Sequence, residues 1–258
     1  DRVFEKRSFL FYSFFLALSL VTNYYIGYMI CIFSVIYALM KMIASCNDKR
    51  ECFRFITNFS LGSLLAGGLS AVLLIPTAFS LSGGKAEFNP YFFTLAPNFT
   101  WPDFISKFVI GSTNINQIIT GFPNVYAGSF VLSGLVFFFL QGNIPIRKRI
   151  AYLFGFLVMV ASFYFNGINL IWHGLNTPAW FPYRYSFVFV FLAVAAAYES
   201  FLASLEKSIH VSQLLAIGTL WGLIGFYMSG RAYDFITDFN AQITYVLLFI
   251  SAILLFAF

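Results

Sequence analysis

The chain has 258 residues, of which 60% are hydrophobic and 10% charged, with a net charge of +5. Soluble domains carry about 25% charged residues, and one of this length could not keep so much apolar surface from water. A soluble enzyme, a disordered chain and a disulfide scaffold are excluded, and a polytopic helical membrane protein is indicated.

Asp1 to Arg7 is charged and leads directly into apolar sequence, so the chain reads as a piece of a longer protein that opens in a loop between spans. Apolar runs then fall at about 8–22, 25–43, 55–76, 125–141, 150–165, 183–204, 209–228 and 241–258. A crossing needs about 20 helical residues, and backbone groups in lipid must be bonded within their own segment. The expected fold is all-α: one transmembrane helical bundle spanning 1–258, with about eight membrane segments.

The loops alternate in charge. Arg2, Lys6, Arg7, Lys41, Lys49, Arg50, Arg54, Arg147, Lys148, Arg149 and Lys207 fall on one side, and only Lys85, Lys107, Arg184 and Arg231 on the other. The positive-inside rule makes the first set cytoplasmic, so both termini lie inside and the long loops outside. No basic stripe suits nucleic acid. Cys31, Cys46 and Cys52 lack ligand spacing and read as reduced thiols.

Phe9 to Ile43 is too long for one crossing and short for two, and Thr22-Asn23-Tyr24-Tyr25 divides it. A first half of 15 residues reaches only about 22 Å, which places the Asn23 turn below the outer surface, in a depression or in a tilted hairpin. The longest outer loop, 77–124, carries breakers at Gly83-Gly84, Pro90, Pro97 and Pro102. Within it Thr100 and Asp103 form a capping box, and Phe104 to Ile110 reads as a short interfacial helix. Further outer loops are expected at 166–182 and 229–240.

Chemistry concentrates in Asn176-Thr177-Pro178-Ala179-Trp180-Phe181-Pro182-Tyr183-Arg184-Tyr185-Ser186. Arg184 sits where a span begins, flanked by Tyr183 and Tyr185. Arg suits bidentate phosphate binding, and a helix N-terminus adds positive potential. The same residues suit an interfacial anchor, with Arg184 stacked among Tyr and Trp180. His173 reads as a proton carrier or as a hydrogen-bonded structural residue. Asn23, Tyr24, Tyr25 and Tyr28 suit a sugar or a lipid headgroup, and equally an aromatic belt. Asn124 reads as the cap of the next helix. Asp103 reads as a cap before a base, and Asp234 and Asp238 as a solvated face. No ligand set argues for a metal or another cofactor.

Several strings resemble the bacterial YfhO family of membrane proteins: 22–33 (TNYYIGYMICIF), 121–128 (GFPNVYAG), 169–174 (NLIWHG) and 180–187 (WFPYRYSF), with 67–77 (GGLSAVLLIPT) also fitting. The resemblance implies a GT-C type glycosyltransferase, which takes a sugar from a polyprenyl-phosphate carrier outside the bacterial cell membrane and passes it to an envelope polymer such as lipoteichoic acid. On that reading the donor phosphate sits at Arg184 and the sugar near His173, Asn23 and the cluster of Tyr24, Tyr25 and Tyr28, with Tyr183, Tyr185, Trp180 and Asn124 as further substrate-binding candidates. The family's catalytic acid belongs to a first outer loop, expected upstream of this chain, and a distal part is expected beyond it. The other reading is a transporter or flippase for a polyprenyl-linked lipid.

Overall fold

The computed structural model describes residues 8–82, 94–206, 210–228 and 230–257. Each of the eight apolar runs is one helix: α1 (Ser8–Thr22), α2 (Tyr24–Ser45), α3 (Lys49–Ser82), α6 (Ser129–Leu140), α7 (Ile146–Tyr164), α9 (Ser186–Glu206), α10 (Val211–Met228) and α11 (Asp238–Ala257). Short helices α4 (Trp101–Ser106), α5 (Ile115–Thr120) and α8 (Asn166–Trp172) complete the order. No strand occurs among the described residues, only an isolated bridge between Pro97 and Phe165. The helices α2, α3, α9, α10 and α11 are long and apolar enough to cross a membrane. The expected polytopic all-α architecture is therefore the observed one. Arg2, Lys6, Arg7, Gly83-Gly84, Lys85, Glu87, Pro90 and Lys207 lie outside the described residues.

The described residues form two compact units. The first holds the described residues up to Thr94 together with Gly167–Thr177; the second holds Leu95–Asn166 and the residues from Pro178 onward.

In the first unit, α1 and α2 are antiparallel with a single residue between them. Asn23 caps α2, its Oδ1 accepting from the backbone N–H groups of Tyr25 and Ile26 at 3.1 Å each. The hairpin closes tightly because Gly27 meets Leu20 backbone to backbone: a Cβ there would lie 2.8 Å from the Leu20 Cα. Helix α3 runs along α1, with the Ser13 hydroxyl donating to the Gly62 carbonyl at 2.9 Å and Tyr12 paired to Ser63 at 2.9 Å. It starts six residues before its apolar run, at Lys49, since Lys, Arg and Glu are good helix formers and remain solvated there. The three cysteines are free thiols.

In the second unit, α6 lies against α9 and α11. Gly134 permits the closest approach, since a Cβ there would be 2.8 Å from the Ala197 Cβ. Polar bonds fasten one end of this unit. Gln141 exchanges bonds of 3.2 Å with Ser200, Asn143 donates to the Ala203 carbonyl at 2.8 Å, and Lys148 pairs with Glu199 at 2.7 Å. Arg184 lies beyond the other end of α9.

Two expectations about the loops are corrected. The interfacial helix runs from Trp101 to Ser106 instead of Phe104 to Ile110. Pro102 fits its first turn, the Thr100–Asp103 capping box is present, and beyond Ser106 the bonds tighten to three-residue spacing, as in Phe108 N–H to the Ile105 carbonyl at 3.1 Å. Asn124 caps no helix: residues 123–128 form no regular secondary structure, and α6 is preceded by Gly128 at φ 98°. Helix α5, unforeseen, is capped by Asn114, whose side chain accepts from the Gln117 N–H at 2.9 Å.

Candidate functional site

The approach to α9 bends sharply at Phe181. Its φ is 59°, and its N–H donates to the Ile119 carbonyl of α5 at 3.0 Å. Left-handed backbone costs a bulky L-residue about 1 kcal/mol or more, so α5 holds a turn that Phe181 would not adopt alone. The turn slides the Phe181 ring beneath Arg184, whose guanidinium carbon lies 4.9 Å from the ring centroid. The Arg184 N–H donates back to the Phe181 carbonyl at 3.2 Å, and Ser186 bonds to the Tyr183 carbonyl through both its N–H and its hydroxyl.

Beside this turn lies a cavity of about 540 Å³, lined by Arg184, Tyr183, Ser186, Asn124, Gln117 and Gly121 among others. No carboxylate is among the described residues that line it. A cation on an aromatic platform, next to amide and hydroxyl groups at the start of a helix, suits an anion with apolar neighbours.

The candidates from this stretch divide. Tyr183 and Asn124 line the cavity; the Asn124 Oδ1 accepts from the Thr113 hydroxyl at 3.1 Å. Burial pushes the Tyr183 phenol well above its ordinary value, so it remains a neutral donor. Tyr185 is a core residue: it is fully buried, stacks on Phe163 at 5.1 Å and donates its hydroxyl to the Ser162 carbonyl at 2.7 Å. Trp180 is exposed and lines no described cavity.

The other candidates belong to the first unit. His173 is buried, and its Nδ1 is hydrogen-bonded to the Tyr25 hydroxyl. The Tyr28 hydroxyl donates to the Ile171 carbonyl at 2.8 Å. Two tyrosines one turn apart on α2 thus tie α2 to α8 and the turn after it. The Asn23 Oδ1 is committed to its cap, while Tyr24 is partly exposed. This cluster joins a titratable ring to hydroxyl groups at the end of a hairpin, which suits polar ligands and also simply builds the unit.

Asp103 is structural. One carboxylate oxygen accepts from the Thr100 N–H and hydroxyl, and the other accepts from the Tyr233 hydroxyl at 3.2 Å. Sequence reasoning missed Lys107 and Gln117. Lys107 read as an ordinary outer charge, yet it is fully buried. The one signal was a lysine standing alone in an apolar stretch; Gln117 had none.

Compared with known proteins, residues 1–258 match the family described as Bacterial membrane protein YfhO. No curated protein and no solved structure matches the chain.

Proposed function

This chain belongs to the YfhO family of bacterial membrane proteins, and from that premise we propose that it forms the membrane core of a glycosyltransferase that uses a polyprenyl-phosphate sugar as donor. The acceptor is an envelope polymer such as lipoteichoic acid. The observation that carries the proposal is the cavity at Arg184: a guanidinium set on the Phe181 ring, with Tyr183, Asn124 and Ser186 in the same wall.

In the proposed reaction an acceptor hydroxyl attacks the anomeric carbon, and the bond to the carrier phosphate breaks. The oxygen that bridged sugar and phosphorus leaves with the phosphate, which gains negative charge. Arg184 stabilises that charge. The acceptor's proton goes to a base outside this cavity, since the described residues that line it carry no carboxylate. The apolar lining residues, Ile118, Phe187 and Val190, suit the isoprenoid next to its phosphate.

An outward-facing site is supported by charge. Arg147, Lys148 and Arg149 begin α7, and Lys148 meets Glu199 late in α9. Arg184 precedes the start of that helix, about 20 Å away along its axis. If the basic end is cytoplasmic, Arg184 faces outward.

The test uses the protein in liposomes with a radiolabelled polyprenyl-phosphate sugar and purified lipoteichoic acid. Label moving into the polymer, and lost in Arg184→Ala at normal expression, supports the proposal. Full transfer by Arg184→Ala sinks the phosphate assignment. Label that crosses the bilayer without transfer replaces the enzyme with a flippase.

A further inference from the structure

Lys107 has 0% exposure. Its ammonium donates to the Ser112 carbonyl at 2.6 Å and to the Gln117 Oε1 at 3.4 Å, and lies 5.0 Å from the centroid of the Phe235 ring. Gly111, at φ 76°, makes the turn that returns Ser112 to it. Every one of these partners is neutral. The nearest acid in sequence, Asp103, is taken by Thr100 and Tyr233. Burying a charge without a counter-charge is costly, and burial accordingly pulls the Lys107 ammonium down to about 8 from 10.5. A buried cation with only neutral partners leaves unbalanced positive potential in this part of the unit.

Gln117 links Lys107 to the Arg184 cavity. Its Oε1 accepts from both Lys107 and the Phe122 N–H, each at 3.4 Å. Both partners are donors, so the carbonyl end must face them, and the amino end with its two N–H groups remains for the cavity that Gln117 lines. Gly121 makes room for this side chain: a Cβ there would stand 2.3 Å from the Gln117 Oε1.

We propose that Gln117 and Lys107 complete, with Arg184, a binding cradle for a phosphodiester anion. Gln117 contacts the ligand through Nε2. Lys107 is a positioning residue that fixes the amide and adds positive potential behind it. The inference rests on the reading of the Arg184 cavity as a phosphate site, and it adds a second cation and a directional donor to it.

Binding is measured on the purified protein in detergent micelles, from pH 6.5 to 9.5. The probes are farnesyl methyl phosphate, dimethyl phosphate and a short-chain phosphatidylglycerol, with uncharged farnesol as control. Each phosphodiester holds one negative charge throughout that range. Other ionisable groups of this part of the unit include Asp103, Tyr126, Tyr164, Tyr183, Arg184, Tyr227, Arg231, Tyr233, Asp234, Asp238 and Tyr245. Among them burial pushes Tyr233 up to about 12 and raises Tyr183 well above its ordinary value.

Affinity of the wild type for at least one phosphodiester is expected to fall about tenfold as Lys107 loses its proton around pH 8. Lys107→Met should bind about tenfold more weakly at pH 6.5 and lose the pH dependence; Gln117→Leu and Gly121→Ala should each weaken binding about fivefold. Whichever phosphodiester binds identifies the source of the anion. A flat wild-type profile, a slope that persists in Lys107→Met, or equal binding of farnesol overturns the inference, and the wild-type profile requires no variant to fold. If Arg184→Ala weakens binding and the Lys107 and Gln117 variants do not, only the cradle fails. If they weaken it and Arg184→Ala does not, the parent phosphate reading fails instead.

Discussion

Gly134 on α6 sets how closely α9 can approach, and α9 begins at the proposed anion site. Carbon atoms pack best at about 3.5–4.0 Å. In Gly134→Ala the new methyl would stand 2.8 Å from the Ala197 Cβ and 3.2 Å from its Cα. Neither contact is the far end of a flexible side chain, so one helix must move by several tenths of an ångström. Overpacking of this kind costs about 1–3 kcal/mol, against a gain of up to about 1 kcal/mol from replacing a helical glycine. With the full glycine gain set against it the net loss is about 0–2 kcal/mol, a fall in Tm of up to about 8 °C for a domain of this size, whereas relative to another helical Gly→Ala change the full overpacking cost shows. Gly68→Ala is the matched control, because nothing lies within 4 Å of its Cβ position; propensity alone should leave it neutral or slightly stabilised. Thermal unfolding in detergent, followed by tryptophan fluorescence, reads both. A Tm for Gly134→Ala equal to that of Gly68→Ala, which shares the propensity gain, would refute the claim that these helices meet at backbone distance.

Phe181→Gly separates strain from recognition. It should relieve the left-handed backbone by about 1 kcal/mol while donor affinity drops about threefold with loss of the ring under Arg184, as a melt and a binding titration on the same variant would show. Tyr185→Phe leaves the Ser162 carbonyl without its described donor and should cost about 1–2 kcal/mol of stability, with transfer per folded molecule unchanged. Lys107 makes stability depend on pH. The folded protein gives up the lysine proton near pH 8, the unfolded chain near 10.5. Between those values the unfolded state binds more protons, so stability rises with pH. Relative to Lys107→Met, the wild type should gain about 3 kcal/mol over that window, measurable as converging denaturation curves.

The helices were legible because lipid imposes length and apolarity on each span, and α2 and α9 contain those patterns almost unbroken. The Asn23 division was legible too, since an asparagine between apolar runs has capping chemistry. What failed was non-local. The INQIIT segment of α5 mixes polar and apolar residues and is defined by Asn114 and by its bond to Phe181. Asn124 has the side chain of a cap, but the irregular stretch continues to Gly128, which occupies the cap position of α6. Tyr183 and Tyr185 look equivalent in sequence, yet one lines a cavity and the other packs on Phe163. For Lys107 the charge was readable, and its burial by Ser112, Gln117 and Phe235 was not. Gly167–Thr177 belongs with the amino-terminal helices through bonds such as Tyr28 to Ile171, which no linear pattern announces.

The one-residue link between α1 and α2 bears on how the protein is made. Asn23 satisfies the orphaned amides of the turn itself, and Gly27 locks against Leu20 at once. No hydrophilic stretch exists between the two helices to be threaded across the bilayer alone. With so short a link, the pair is suited to leave the translocation machinery as a preassembled helical hairpin. Lengthening the link with a charged insert would therefore trap the nascent chain at biogenesis, before any question of catalysis arises.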